Sequence, residues 1–167
     1  YYSNECELTI DSQGVPPLIY TTELPSLRSA TRSGSSCSTS EVFNMESLEP
    51  RLVLDNSGNR HLVLLDTSMA LNYGYSSDGA TWNINTVKNM VPTLSKPAIQ
   101  VDSTGAPHIM YPDPDDKSIK HYWYVNSMWS SETVVNSDIG YGAETDYLID
   151  PAGVHWMAYG DNESFKI

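Results

Sequence analysis

One short pattern recurs four times along this chain, and its spacing narrows the possible folds more than any other feature. Each copy is an apolar stretch ending in Asp, two small or polar residues, Gly, then a second apolar stretch. The copies are LTIDSQGVPPLIY (8–20), LVLDNSGNRHLVLL (52–65), IQVDSTGAPHIMY (99–111) and YLIDPAGVHWMAY (147–159). The aspartates are Asp11, Asp55, Asp102 and Asp150, so successive copies lie 44, 47 and 48 residues apart. The matching glycines are Gly14, Gly58, Gly105 and Gly153. Repeats of this length belong to propellers or solenoids.

The local chemistry is that of a hairpin. Asp accepts hydrogen bonds from its own turn and Gly tolerates positive φ. The flanking residues alternate or run apolar at strand length, and they are rich in Val and Ile. Two further strand-like runs follow each complete copy: 27–32 and 37–42, 70–77 and 82–87, then 119–125 and 129–135. Four strands per repeat match a propeller blade. The predicted fold is therefore all-β, a single domain over 1–167 built of four-stranded antiparallel blades. Blade 1 spans 5–42, blade 2 50–87, blade 3 97–135 and a partial blade 4 146–167. The polar segments 43–49, 88–96 and 136–145 read as loops between blades.

About three and a half blades leave a strand edge to be satisfied. Three completions fit this count. A second copy could complete a seven-bladed ring as a homo-oligomer, a continuation of the same propeller could lie outside this chain, or a small four-bladed ring could close alone.

Blade 2 contains Ser76-Ser77-Asp78-Gly79-Ala80-Thr81-Trp82 between its third and fourth predicted strands. This run resembles the Asp-box, or BNR, motif of bacterial sialidase-like propellers, one residue shorter than usual between the Asp and the Thr-Trp pair. Blade 3 keeps only Asn126-Ser127-Met128-Trp129. The hairpin pattern also resembles those repeats along nearly the whole chain. The resemblance implies a structural role for Ser76, Asp78 and Trp82, with the polar residues tying the turn and the aromatic packing inward. Sialidases of that fold hold the substrate carboxylate with clustered arginines, and nothing in the sequence places Arg28, Arg32, Arg51 and Arg60 together.

Candidate ligand-binding residues come from two sources. Asp66, Asp113 and Asp161 recur at equivalent positions after the second strand and could line a polar site around a common axis. Among the aromatics, most of which read as packing between blades, Tyr122, Tyr124, Tyr141 and Trp156 are candidates for stacking on a sugar, and Tyr141, between Gly140 and Gly142, reads as the exposed one. Two carboxylates across a sugar are the minimum for glycoside hydrolysis, and no catalytic pair can be assigned. His61 and His108 share one repeat position and read as packing residues. No compact set of three zinc ligands is visible, no cofactor is implied, and 112–118 reads as a hairpin loop more simply than as a Ca²⁺ site.

With 21 acidic against 9 basic residues, the formal net charge is -12. That disfavours a nucleic-acid partner, whose phosphates demand basic side chains, and an anionic membrane surface. No apolar run approaches the ~20 residues of a membrane span. The polar, Tyr-rich composition fits a secreted or cell-surface protein. Residues 1–20 do not read as a signal peptide, and a chain starting at Tyr1 leaves an earlier leader open. Cys6 and Cys37 are either one bridge or two thiols. The leading expectation is a non-enzymatic module binding carbohydrate or another polar ligand. The alternatives are a glycoside hydrolase or lyase whose axial site needs a partner chain or missing blades, and a purely structural module.

Overall fold

In the computed structural model, residues 5–22, 26–91, 95–136, 138–140, 143–160 and 165–167 are described. They form fifteen strands and no helix. Four antiparallel sheets follow one another along the chain, each ordered as the sequence is. Sheet 1 holds β1 (Cys6–Leu8), β2 (Leu18–Thr21), β3 (Leu27–Ser33) and β4 (Ser36–Phe43). Sheet 2 holds β5 (Ser47–Leu54), β6 (Arg60–Asp66), β7 (Ala70–Ser76) and β8 (Asn83–Asn89). Sheet 3 holds β9 (Ala98–Val101), β10 (Pro107–Asp113), β11 (Ser118–Val125) and β12 (Met128–Asn136). Sheet 4 has three strands, β13 (Thr145–Ile149), β14 (His155–Gly160) and β15 (Phe165–Lys166).

The four hairpin turns are built alike. In each, one Asp side-chain oxygen accepts the N–H groups two and four residues on, at 2.7–2.9 Å. The Asp carbonyl accepts the Gly N–H at 2.9–3.0 Å. The glycines sit at φ +75°, +82°, +88° and +80°, where a side chain is strained. In sheets 2, 3 and 4 the second carboxylate oxygen has a partner beyond the turn. It faces a ring nitrogen six residues on: His61 Nε2 at 3.6 Å from Asp55, His108 Nε2 at 3.5 Å from Asp102, and Trp156 Nε1, which donates to Asp150 at 3.0 Å.

Strand alternation explains why the middle sheets are buried on both faces. Along β6, Leu62 and Leu64 join a core with Ile19, Leu27 and Val42 of sheet 1. Val63 and Leu65, pointing the other way, join a core with Ile99, Ile109, Tyr111 and Tyr122 of sheet 3. Met110 and Ile119 then pack against Tyr147, Met157 and Tyr159 of sheet 4. Each seam between successive sheets thus has its own hydrophobic core. The outer strands β8 and β12 are largely exposed, with half-buried positions such as Ile84, Val87, Trp129 and Val135 turned to the seams.

The serine-aspartate turn before Trp82 has the expected internal bonds. Ser76 Oγ bonds Asp78 and accepts from Gly79 N–H at 2.8 Å, while Asp78 accepts from Ala80 N–H and Thr81 N–H at 2.8 and 2.7 Å. Those amide bonds hold the Asp78 carboxyl well below the usual range. Gly79 sits at φ +73°, a conformation that favours glycine, and a methyl group there would also displace the Arg60 guanidinium, 2.4 Å from the Cβ position. The turn docks on sheet 1, since Gly79 C=O accepts from Ser29 Oγ at 2.6 Å. Trp82 packs into the seam between sheets 1 and 2, and Trp129 into the seam between sheets 2 and 3. Cys6 and Cys37 are both free and exposed thiols.

Candidate functional site

The first strands β1, β5, β9 and β13 lie side by side, with an isolated parallel bridge between Lys96 and Glu144. They line a groove of about 470 Å³ whose walls include Glu7, Arg51, Gln100, Glu144, Asp146 and Tyr159. The charges come from two positions of the repeat. Six residues before each turn aspartate stand Glu5, Glu49, Lys96 and Glu144; four before stand Glu7, Arg51, Ala98 and Asp146.

These side chains interact across strands. Arg51 pairs with Glu7, and Lys96 with Glu144. Glu49 sits at a bulge in β5 with φ +51°, a left-handed conformation that costs about 1 kcal/mol for a non-glycine residue. Its N–H donates to Glu5 Oε2 at 2.7 Å. Burial, and then the Glu5 charge, push the Glu49 carboxyl up. The Lys96 ammonium holds Glu144 down. Glu144 in the groove wall and Glu49 beside it are thereby shifted in opposite directions.

The expected candidates are not gathered at this groove. Asp66 is buried and spent on its own turn, accepting from Ser68 N–H and Oγ, Ala70 N–H and Asn72 Nδ2 at 2.7–3.0 Å. Asp113 and Tyr122 do meet, in a separate polar hollow of about 450 Å³ with Lys88, Asp115, Asp116 and Lys120. There Asp116 pairs with Lys120 at 2.6 Å, and Asp113 accepts from Asp116 N–H at 3.2 Å, as in a hairpin turn. Burial pushes the Tyr122 hydroxyl up to about 12. Tyr124 lies apart, its ring 5.3 Å from that of Trp129. Trp156 is 52 % exposed on the outer face of sheet 4. Tyr141 and Asp161 lie outside the described residues. The four arginines are dispersed. Arg28 donates to Thr39, Arg32 to Gly34 C=O and Arg60 to Thr31, while Arg51 alone lines the groove.

One expectation is corrected. Three imidazoles do come together, from His108, His121 and His155, with a ring nitrogen of each within 4.8 Å of the others. They were hidden because they occupy unlike repeat positions. His108 and His121 face sheet 4 from adjacent strands, and His155 reaches back from β14. Burial, followed for His108 by the neighbouring imidazoles, pulls the pKa of His108 and His121 down. His61, by contrast, is a buried packing residue whose Nδ1 bonds Tyr73 at 2.8 Å.

No protein-family description matches the sequence, and neither does any curated protein. Solved structures do. A mutant of the Aleuria aurantia lectin, in complex with Fucα1-6GlcNAc, superposes with a TM-score of 0.67 at 13% identity, over 99% of this chain and 62% of that one. AofleA from Arthrobotrys oligospora gives 0.72 at 13% identity, over 99% of this chain and 56% of that one. The fold is that of the lectin and sialidase β-propellers. NanB sialidase from Streptococcus pneumoniae gives 0.65 at 13% identity, over 96% of this chain and 29% of that one. The chain therefore spans less than two thirds of the length of these propellers. Its four sheets correspond to blades of that fold, and β1, β5, β9 and β13 are the first strand of each.

Proposed function

We propose that this chain is part of a carbohydrate-acting propeller, a glycoside hydrolase or lyase whose axial site is completed by blades outside this chain. The observation that carries the reading is the groove itself, where Glu7, Glu144 and Asp146 stand with Arg51 and Gln100 in one polar hollow and Glu49 lies beside it, its carboxyl shifted up while that of Glu144 is shifted down. Such a division equips one group to donate a proton and the other to act as a carboxylate. Glu49 takes the first role and Glu144 the second. Arg51, Gln100 and Asp146 supply hydrogen bonds to sugar hydroxyls, and Tyr159 an aromatic wall. The likeness to a lectin bound to a fucosylated sugar and to a sialidase supports the ligand class.

Completion by further blades rests on the repeat itself. The position three residues beyond each turn glycine faces the next blade. Pro17 and His61 are buried there, and the His108 side chain is only 12 % exposed. In blade 4 the same position is the half-exposed Trp156, beside exposed Leu148. A following blade, from a second copy or from a continuation of the chain, would cover them as the other seams are covered.

The test is turnover of an aryl-glycoside and polysaccharide panel by the protein, with sugar binding measured in parallel by calorimetry. Glu144→Gln should lower turnover about 100-fold or more while leaving binding within a few-fold. Binding without turnover on any substrate would favour the non-enzymatic reading. Neither binding nor turnover would overturn both.

A further inference from the structure

The histidine cluster at the seam of blades 3 and 4 has no part in the axial reading, and its geometry is that of a ligand set. Each imidazole has one nitrogen turned to an oxygen of its own blade. His121 Nδ1 meets Glu132 at 3.0 Å, His155 Nδ1 meets Tyr147 Oη at 2.6 Å, and His108 Nε2 faces Asp102 at 3.5 Å. His108 Nδ1 and His121 Nε2 then face each other at 2.9 Å. The rings pack at centroid distances of 5.1, 5.0 and 5.7 Å. Outer oxygens that fix ring orientation are the second shell that metal-binding histidines use.

We propose that His108, His121 and His155 bind one divalent transition-metal ion of the Zn²⁺ class, which fastens blade 4 to blade 3. Three neutral imidazoles suit that class, and they leave a fourth position for water. Exposure of His155 puts that position at the surface. Without metal, His108 Nδ1–H donates to His121 Nε2, whose own Nδ1–H is held by Glu132. On metal binding His108 changes tautomer, so that its proton sits on Nε2 and points to Asp102, which leaves the Nδ1 lone pair for the metal beside that of His121 Nε2. No proton need leave the protein. Two imidazole nitrogens on a tetrahedral ion stand about 3.3 Å apart, so the pair must open by only a few tenths of an ångström.

The neighbouring seam shows why this one differs. In blade 2 the equivalent of His121 is Tyr73, which bonds His61 at 2.8 Å. The residue that reaches back from blade 3, equivalent to His155, is Pro107. That seam offers one imidazole where the next offers three.

The experiment uses untagged protein stripped with chelator and titrated with Zn²⁺ by calorimetry, with Co²⁺ absorption as a second readout. The expected result is one ion per chain at a Kd below about 100 µM, tetrahedral Co²⁺ bands, and a thermal midpoint that rises with Zn²⁺ and falls back with chelator. His155→Ala, an exposed position that should not disturb folding, should weaken binding at least tenfold. Glu132→Gln should weaken it about 10–100-fold through His121. Absence of saturable binding at about 100 µM Zn²⁺, or binding unchanged in both variants, would overturn the proposal. The circular dichroism of each variant reports whether it is folded.

Discussion

Gly74 lies in β7 directly between Leu62 of β6 and Ile84 of β8 in the cross-strand register. Its φ is not in the positive range, so the demand for glycine here is one of space. A methyl group at Gly74 would stand 2.7 Å from Ile84 Cδ1 and 3.4 Å from Leu62 Cβ and Cδ2. Leu62 is fully buried and cannot yield, whereas Ile84 is half-buried and can swing its terminal methyl aside. Overpacking of this kind costs about 1–3 kcal/mol. The stiffer unfolded chain returns about 0.4–1 kcal/mol, so Gly74→Ala should destabilise by about 1–2 kcal/mol. Ile84→Val removes the one atom that clashes, at about 0.5–1.5 kcal/mol on its own. The double variant should therefore be more stable than the sum of the singles predicts, by about 1 kcal/mol. Urea denaturation reads this as shifts of midpoint at constant slope. Additivity within about 0.3 kcal/mol, or a Gly74→Ala protein as stable as the parent, would refute the packing argument for the seam of blades 1 and 2.

Two further outcomes follow from the carboxylates. Asp66→Ala leaves the buried Ala70 N–H without its acceptor and the Asn72 amide with only the Ala70 C=O at 3.3 Å, and should cost about 2–3 kcal/mol in the same assay; a loss under about 1 kcal/mol would mean the turn is held otherwise. Glu49 binds its proton more tightly folded than unfolded, so the stability it contributes is present at low pH and is lost as pH rises through its raised folded pKa. Glu49→Gln should accordingly raise the thermal midpoint at pH 7, with the gain fading below about pH 4, while abolishing turnover; a lower midpoint at pH 7 would count against the burial of that charge.

The hairpin turns were legible in the sequence because Asp and Gly at fixed spacing carry their mechanism with them. Blade seams were legible in part. The run Leu62–Leu65 reads as apolar, but only the structure shows that alternate residues serve different neighbours. The axial charges could have been found by counting back from each turn aspartate, since Glu5, Glu49, Lys96 and Glu144 occupy one repeat position. The sequence signal is weak there because the position varies in sign and one copy lies on a bulge. Asp66 recurred for a different reason than a ligand would, as the acceptor that closes its own turn. The histidine cluster was least legible. It depends on which face each strand presents, and one member, His155, comes from a different blade.

The separate core at each seam has a consequence for how the molecule comes apart. Among the described sheets, blades 2 and 3 are each held by two seams, and blades 1 and 4 by one. Stability then behaves as a sum over neighbours in a row, as in linear repeat arrays. Peeling away blade 4 sacrifices a single core, the small one around Met110, Ile119 and Tyr147, while removing either middle blade sacrifices two. Within the described sheets, an ion bridging blades 3 and 4 therefore reinforces the seam with the smallest core.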